Sequence, residues 1–284
     1  MYREEVPLYG DLIEIVKDVD RAVLAEQGET DDELPTRHRL ERHGAIRVGT
    51  YEELRFIKRL FSIMGMHPVG YYDLTMIGFP LHGTAFRPLS EESLSKNPFR
   101  VFTTVLRHEL LSETVRDLAT SMLSKRRLFS ARLCQLMNIA EREPQFHEEN
   151  ATELIQEALA VFRWHSSATV SLQDYLHLIK EHPVVADIVC FQSAHVNHLT
   201  PRTLDIDRVQ QEMVRRGLPA KDRVEGPPRR RCSILLRQTS FKALEERVEL
   251  IGTDANTVSG THTARFGKIE QRGAAVTQGS GAIR

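Results

Sequence analysis

The chain contains 284 residues, of which 41% are hydrophobic and 27% are charged. This balance is typical of a globular protein and excludes a disordered or fibrous chain. Lysine and arginine number 38 against 39 acidic residues, so the net charge is −1. Because such a chain has no strong positive field, we do not expect it to bind nucleic acid.

The cysteines and the hydrophobic runs indicate the cellular compartment in which the protein is expected. Cys134, Cys190 and Cys232 are widely separated and form no CxxC pair, so neither a disulfide framework nor a zinc knuckle is expected. The apolar runs are shorter than the roughly 18 residues of a membrane span, and the N-terminal stretch has no apolar signal-peptide core. We therefore predict a cytoplasmic protein that does not associate with membranes. The oligomeric state is left open.

The first part of the chain predicts a helix followed by a β-α-β-β order. Hydrophobic periodicity and turn residues predict a helix over 8–25, a strand over 43–49, a helix over 50–64, and strands over 68–74 and 80–86. Thr50 is a favourable N-cap residue with Glu53 at the capping-box position, which fixes the expected start of the second helix.

The rest of the chain predicts a helical segment and then a second alternating module. Residues 91–164 have helical periodicity throughout, including a helix over 151–162. The later elements are a helix over 172–180, a strand over 186–191, a helix over 209–216, and strands over 234–239 and 261–271. We predict an α+β fold with one domain over 1–284. In it, two β-α-β-β modules, at about 38–90 and 169–276, form a metal-holding cup and flank a helical insertion at 91–168.

Most of the twelve histidines lie in contexts typical of surface residues, but His43 begins a predicted strand. Alternate residues share a strand face, so His43 and Arg47 point the same way, with their Cα atoms roughly 13 Å apart. A 2-oxo acid that chelates a metal at His43 could extend along this face, where Arg47 could bind a distal carboxylate bidentately. The alternative is a histidine at a sheet edge and an arginine in a surface ion pair.

Two further segments carry candidate ligands. His195 and His198 would face opposite sides of a strand, so at most one of them is expected to reach a given site. In the last predicted strand, the even positions share one face; they are His262, Ala264, Phe266, Lys268 and Glu270. Two histidines and one carboxylate from three strands would form the facial triad that is typical of non-haem Fe(II) oxygenases.

Several stretches over nearly the whole chain resemble one family. They are EVPLYG (5–10), RHGAIRVGT (42–50), MGM (64–66), VGYYDL (69–74), FRWH (162–165), NHLTPRTLDID (197–207), LLRQTSFKAL (235–244) and HTARFG (262–267). These stretches are similar to those of the 2-oxoadipate dioxygenase/decarboxylases, or hydroxyglutarate synthases, which have a vicinal-oxygen-chelate fold. The resemblance implies that the two predicted modules are of the vicinal-oxygen-chelate type.

The resemblance also implies a function. It assigns His43 and His198 as ligands of Fe(II), and Arg47 as the residue that holds the distal carboxylate of the substrate. The implied enzyme is a non-haem iron dioxygenase/decarboxylase of lysine catabolism that converts 2-oxoadipate and O₂ to 2-hydroxyglutarate and CO₂. Its partners would be a small 2-oxo dicarboxylic acid and O₂.

The third ligand departs from the family pattern. The family has a glutamate in Phe-Gly-Glu-Ile-Glu-Gln-Arg-Gly, and we align that ligand with Lys268, whose ammonium cannot coordinate a cation. Glu270 lies on the same strand face about 6.6 Å further along, and is the alternative third ligand. Family members also continue beyond Arg284 with a region that helps to close the substrate pocket, so a truncated copy is expected. The alternative function is an impaired homologue with weak or no metal binding.

Overall fold

The structure is a computed structural model that describes residues 1–30, 32, 34–143, 145–229, 235–252 and 256–271. Cys232, Ile234 and the predicted end of the second module at 272–276 lie outside these ranges. Among the described residues, no helix is both long enough and apolar enough to cross a membrane.

The helices are, in chain order, α1 (Tyr2–Glu5), α2 (Pro7–Gln27), α3 (Tyr51–Ile63), α4 (Glu91–Lys96), α5 (Glu113–Lys125), α6 (Ala131–Arg142), α7 (Glu148–Phe162), α8 (Leu172–Glu181), α9 (Pro183–Val189) and α10 (Ile206–Arg215). The strands are β1 (His43–Val48), β2 (His67–Asp73), β3 (Leu81–Arg87), β4 (Arg100–Leu106), β5 (Ser167–Ser171), β6 (His198–Thr200), β7 (Arg237–Ser240), β8 (Glu245–Ile251), β9 (Thr257–Thr263) and β10 (Phe266–Gln271). Short 3₁₀ turns lie at Thr36–His38, Thr75–Ile77 and His108–Leu110.

The chain divides into two compact units. Unit 1 contains Met1–His43, His198–Ala243 and Phe266–Arg284. Unit 2 contains Gly44–Asn197 and Leu244–Arg265. The mixed α+β class is confirmed, whereas the predicted module boundaries at 38–90, 91–168 and 169–276 stay a prediction.

Unit 1 is built on three strands in the order β6-β10-β7. The central strand β10 runs parallel to β6 and antiparallel to β7. The helices α2 and α10 pack on these strands through apolar faces that include Leu12 and Val209, both fully buried. Gly267 allows the side chains of Phe241 and Leu12 to pack closely against β10. A Cβ atom at this position would lie 2.3 Å from Phe241 Cε1 and 3.0 Å from Leu12 Cδ2.

Unit 2 contains the strand order β2-β3-β4-β1 and a separate three-stranded sheet, β5-β8-β9. The predicted capping box of α3 is confirmed. Thr50 Oγ1 accepts a hydrogen bond from the Glu53 amide at 3.1 Å, and the Glu53 carboxylate accepts one from the Thr50 amide at 3.2 Å. The same carboxylate pairs with Arg126, whose guanidinium also donates to the carbonyl of Ile188 near the end of α9.

Three predicted elements are wrong. Residues 186–191 were expected to form a strand, but most of them belong to α9, which starts with Pro183 at its first turn and is capped by His182. Residues 100–106 were expected to be helical but form β4, with alternate residues buried. The single strand expected over 261–271 is two strands, β9 and β10, that belong to different sheets. Two further strands, β5 and β8, were not predicted.

Candidate functional site

In unit 1, three candidate ligands come together from separate stretches of chain. His43 is the first residue of β1, His198 is the first residue of β6, and Glu270 lies in β10. The Arg42 amide donates to the Thr200 carbonyl at 2.6 Å, which aligns the chain at His43 with β6. The parallel register pairs Phe266 with His198, so that Glu270 follows on the neighbouring strand.

The closest contact in this group joins His43 and Glu270. The distance from His43 Nδ1 to Glu270 Oε1 is 3.4 Å, and the two residues are only 3% and 2% exposed. This distance exceeds that of an ordinary N–H···O hydrogen bond. It agrees with the roughly 3.0–3.5 Å that separates two donor atoms bound to one ion at about 2.1 Å each.

His198 stands next to this pair. Its ring centroid lies 5.5 Å from that of His43, with the two planes nearly perpendicular at 88°. The His198 ring also stacks on Phe266, with centroids 4.7 Å apart. The aromatic neighbour and the β6 backbone therefore hold the second imidazole beside the first.

Thr200 orients the His43 ring. Its Oγ1 lies 3.0 Å from His43 Nε2, and both side chains are buried. A hydroxyl oxygen can accept the Nε2–H proton, and in that tautomer Nδ1 carries a lone pair that is directed to the Glu270 side. In metal-binding histidines, a hydrogen bond from the ring nitrogen that does not bind the metal fixes the tautomer and the orientation of the ring. Thr200 lies in the stretch 197–207 that resembles the family, but no role was predicted for it.

Lys268 lies on the same face of β10 as Glu270, two residues before it. Its Nζ atom is 4.0 Å from Glu270 Oε1, and the side chain is 23% exposed. The residue that stands beside His43 is therefore Glu270, without any shift of the strand register. The contact with Lys268 nevertheless adds a positive charge to the group of candidate ligands.

Two imidazoles and one carboxylate form a donor set that suits a divalent ion such as non-haem iron. The donor types and the spacing of His43 and Glu270 fit such an ion. Within the part of the chain that the structure describes, no three His, Cys, Asp or Glu side chains already have the mutual spacing of a complete metal site. His198 is the neighbouring donor that would complete the set.

Unit 2 contains Arg47, the predicted carboxylate-binding residue. Its Nη1 atom donates to Asp187 Oδ2 at 2.5 Å, and its side chain is 23% exposed while that of Asp187 is only 3% exposed. Among the described residues, Asp187 is the hydrogen-bond partner of the Arg47 side chain. The alternative of an arginine in a surface ion pair does not describe this contact, because the carboxylate is buried.

The second oxygen of Asp187 accepts two imidazole hydrogen bonds. His195 Nε2 lies 3.0 Å and His262 Nε2 lies 3.1 Å from Oδ1. Burial would raise the pKa of Asp187, but the charges of His195 and Arg47 and the imidazole hydrogen bonds outweigh it. The pKa of this carboxyl is therefore well below its usual value, and Asp187 is ionised at neutral pH.

His262 was expected to share a strand face with Glu270, and this is wrong. The chain leaves β9 after Thr263 and starts β10 at Phe266, so the even-residue pattern is interrupted. His262 Nδ1 instead lies 3.0 Å from the hydroxyl of Tyr175 in unit 2.

Sequence reasoning missed Asp187. A lone carboxylate in the apolar run 184–189 was a usable signal, because a buried charge needs partners.

The chain matches a known family over almost its whole length. The model of the family described as 2-oxoadipate dioxygenase/decarboxylase matches residues 1–283. A protein named 2-oxoadipate dioxygenase/decarboxylase from Escherichia coli K12 is 53% identical over 283 residues, which are 98% of this chain and 62% of that protein. The corresponding protein of Pseudomonas putida KT2440 is 52% identical and is covered over 61% of its length. The chain thus spans about three fifths of these relatives.

Solved structures give the same relationship. The crystal structure of the hydroxyglutarate synthase from Pseudomonas putida in complex with 2-oxoadipate matches with a TM-score of 0.90 and 52% identity. The match covers 98% of this chain and 63% of that one. A glyoxalase superfamily protein from Ralstonia eutropha JMP134 matches with a TM-score of 0.68 at 21% identity, over 89% of this chain and 75% of that one. This last similarity concerns the fold alone, and it agrees with the expected vicinal-oxygen-chelate type.

Proposed function

Because the chain belongs to the 2-oxoadipate dioxygenase/decarboxylase family, we propose that it binds Fe(II) and converts 2-oxoadipate and O₂ to 2-hydroxyglutarate and CO₂. The six-carbon substrate and the five-carbon product balance with one CO₂ and one O₂ for each turnover. The partners are then a 2-oxo dicarboxylic acid and O₂, and the cytoplasmic location stays a prediction.

The contact between His43 and Glu270 carries this proposal. A buried carboxylate 3.4 Å from a buried imidazole, with a second imidazole at a ring distance of 5.5 Å, supplies the donor types of a facial triad. His43, His198 and Glu270 would hold the ion. When bound, Fe(II) supplies the site at which the 2-oxo acid chelates and O₂ is reduced.

The remaining residues bind and orient. Thr200 holds the His43 ring in the tautomer that leaves Nδ1 available as a donor atom. Arg47 would bind the distal carboxylate of the substrate, since a guanidinium fork matches a carboxylate in geometry and charge. The burial of His43 and Glu270 keeps bulk water from the donor atoms.

Lys268 supports a second candidate function. Its ammonium lies 4.0 Å from the Glu270 carboxylate and competes with a cation for the same negative charge. The alternative is therefore a member of the family in which metal binding is weak or absent and turnover is impaired.

The proposal is tested on the 284-residue chain reconstituted anaerobically with Fe(II). After mixing with 2-oxoadipate and air, we expect O₂ uptake, CO₂ release and 2-hydroxyglutarate in equal amounts. His43→Ala should abolish all three signals, while Lys17→Ala on the exposed side of α2 should leave them unchanged. A chain that binds Fe(II) tightly and yields no 2-hydroxyglutarate would refute the activity, whereas a chain that fails to bind Fe(II) would support the impaired homologue.

A further inference from the structure

Asp187 and the two histidines that contact it lie outside the proposed metal-binding group and have no role so far. We propose that Asp187, held by His195 and His262, positions the Arg47 guanidinium for a substrate carboxylate and so sets the preference for dicarboxylic over monocarboxylic 2-oxo acids. This inference rests on the proposed function, because it concerns the residue assigned to the distal carboxylate.

Asp187 is fixed on both of its oxygens. Oδ2 accepts from Arg47 Nη1 at 2.5 Å, and Oδ1 accepts from His195 Nε2 at 3.0 Å and His262 Nε2 at 3.1 Å. Asp187 is only 3% exposed, so a carboxylate that rotated away from Arg47 would lose these bonds without gaining bonds to water. The direction of the Arg47 side chain is therefore set by a rigid partner.

The two histidines that contact Asp187 are themselves held by neighbouring side chains. His262 Nδ1 lies 3.0 Å from the Tyr175 hydroxyl, which also lies 2.9 Å from the Thr261 carbonyl. Burial raises the pKa of Tyr175 to about 12, so this hydroxyl keeps its proton at neutral pH. The ring of Trp164 packs against both imidazoles, at centroid distances of 4.6 Å from His195 and 6.2 Å from His262. Hydrogen bonds thus connect Arg47 to the backbone of β9.

Arg47 retains N–H groups that Asp187 does not engage. Asp187 engages one of its terminal nitrogens, and among the described residues no second hydrogen-bond partner of the side chain is present. The Arg47 side chain is 23% exposed, and the other N–H groups of its guanidinium can bind an incoming carboxylate. The charge of Asp187 is shared among Arg47 and two imidazole donors, so Arg47 keeps part of its attraction for a second anion.

A purely structural role for Asp187 predicts a different outcome. A buried ion pair that only supports the fold would, when broken, weaken binding of every substrate or lower stability alone. A positioning role predicts a selective loss for the substrate that has a distal carboxylate. The two roles are therefore distinguished by the ratio of the affinities for a dicarboxylic and a monocarboxylic 2-oxo acid. A loss of activity alone would not distinguish them.

The test compares 2-oxoadipate with 2-oxohexanoate, which has the same number of carbons but lacks the distal carboxylate. Dissociation constants are measured by calorimetry without O₂ on the Fe(II)-loaded parent chain and on Asp187→Asn. We expect Asp187→Asn to lower the preference for 2-oxoadipate by about ten-fold or more, since a small misplacement of a binding group can cost up to about a hundred-fold. Binding of 2-oxohexanoate should change by less than about three-fold by the same reasoning.

Asp207→Asn is the matched control, because it breaks another arginine–carboxylate pair, with Arg237 in unit 1. It should leave the preference of the parent unchanged. If Asp187→Asn does not fold, as judged by circular dichroism, His195→Gln takes its place and should lower the preference in the same direction. An unchanged preference in the folded variant would overturn the inference alone. A parent chain that binds both acids equally would overturn the assignment of Arg47 and the proposed function with it.

Discussion

The ammonium nitrogen of Lys268 lies 4.0 Å from Oε1 of Glu270, the carboxylate that stands beside His43. Two unit charges at this distance interact by about 4 kcal/mol at an effective dielectric of 20. Partial exposure of the lysine reduces this value. A divalent ion that approaches Glu270 is therefore repelled by the Lys268 ammonium unless that side chain moves away.

Replacing Lys268 with glutamine should strengthen Fe(II) binding. The substitution removes a positive charge near Glu270, and a gain of about ten-fold in affinity corresponds to roughly 1.4 kcal/mol, a fraction of the full interaction. Lys268→Glu should raise the affinity further. Anaerobic Fe(II) titration measures the change, with the exposed Lys242→Gln as the control. Equal affinities for the parent and Lys268→Gln would show that this ammonium does not oppose the ion.

Glu270→Gln should remove most of the metal affinity. The amide keeps the size of the side chain but supplies no negative charge to the ion. Mutating a residue that only hydrogen-bonds to a metal ligand lowers metal affinity by about 10- to 100-fold. Replacing the ligand itself should therefore lower the Fe(II) affinity by more than about a hundred-fold. The same titration measures it, with Glu245→Gln in unit 2 as the control. Retention of tight binding in Glu270→Gln would exclude Glu270 as the third ligand.

Thr200→Val should weaken metal binding without unfolding the chain. Valine matches threonine in shape but cannot accept the Nε2–H of His43, so the ring loses the bond that fixes its tautomer. We expect a loss of about ten- to a hundred-fold in Fe(II) affinity. Thr200→Ser keeps the hydroxyl and should bind like the parent. If valine and serine bind the ion equally well, the hydroxyl does not orient His43.

Gly267→Ala should destabilise the chain. The added Cβ would lie 2.3 Å from Phe241 Cε1, so the core of unit 1 must move, at a cost of about 1–3 kcal/mol. Gly10→Ala is the control, since a Cβ there meets no atom within 4 Å and alanine favours the α2 helix. Thermal unfolding should therefore shift down for Gly267→Ala and slightly up for Gly10→Ala. Similar shifts for both variants would contradict the close packing of α2 on β10.

The contribution of Asp187 to stability should depend on pH in the acid range. Its folded-state pKa is held well below the ordinary value of 3.8, so the contribution is fully present above that value and is lost as the pH falls toward the folded pKa. Between about pH 5 and pH 3 the parent should lose about 1 kcal/mol from this group that Asp187→Asn does not lose. Urea unfolding at both pH values measures the difference, and parallel losses in both chains would contradict it.

Local chemistry explains which elements could be predicted. The start of α3 depends on hydrogen bonds between Thr50 and Glu53, three residues apart, and such a signal is complete within the sequence. The start of α9 depends on Pro183 and on the cap by His182, a signal that was also present. It was outweighed by the apolar run that follows, because a helix buried on all sides has no polar face and resembles a buried strand.

The candidate site was predictable only in part. The pairing of His43 with His198 came from resemblance, since 154 intervening positions leave spacing without any information on contact. Strand alternation put Lys268 and Glu270 on one face but could not choose between them, because that choice depends on the register with β6. His262 was misassigned because two residues, Ala264 and Arg265, separate β9 from β10, and the alternation rule holds only within one strand.

The central place of β10 in unit 1 constrains how this strand can evolve. It pairs with β6 on one side and β7 on the other, and the Glu270 amide and carbonyl are both engaged, with Pro201 and Thr203. Deleting one residue between Phe266 and Glu270 would turn every later side chain to the opposite face, replacing the carboxylate beside His43 with an apolar or amide group. A change of two residues would restore the face but would move the carboxylate about 6.6 Å along the strand. Descendants of this chain can therefore alter the site by point substitution far more readily than by insertion or deletion.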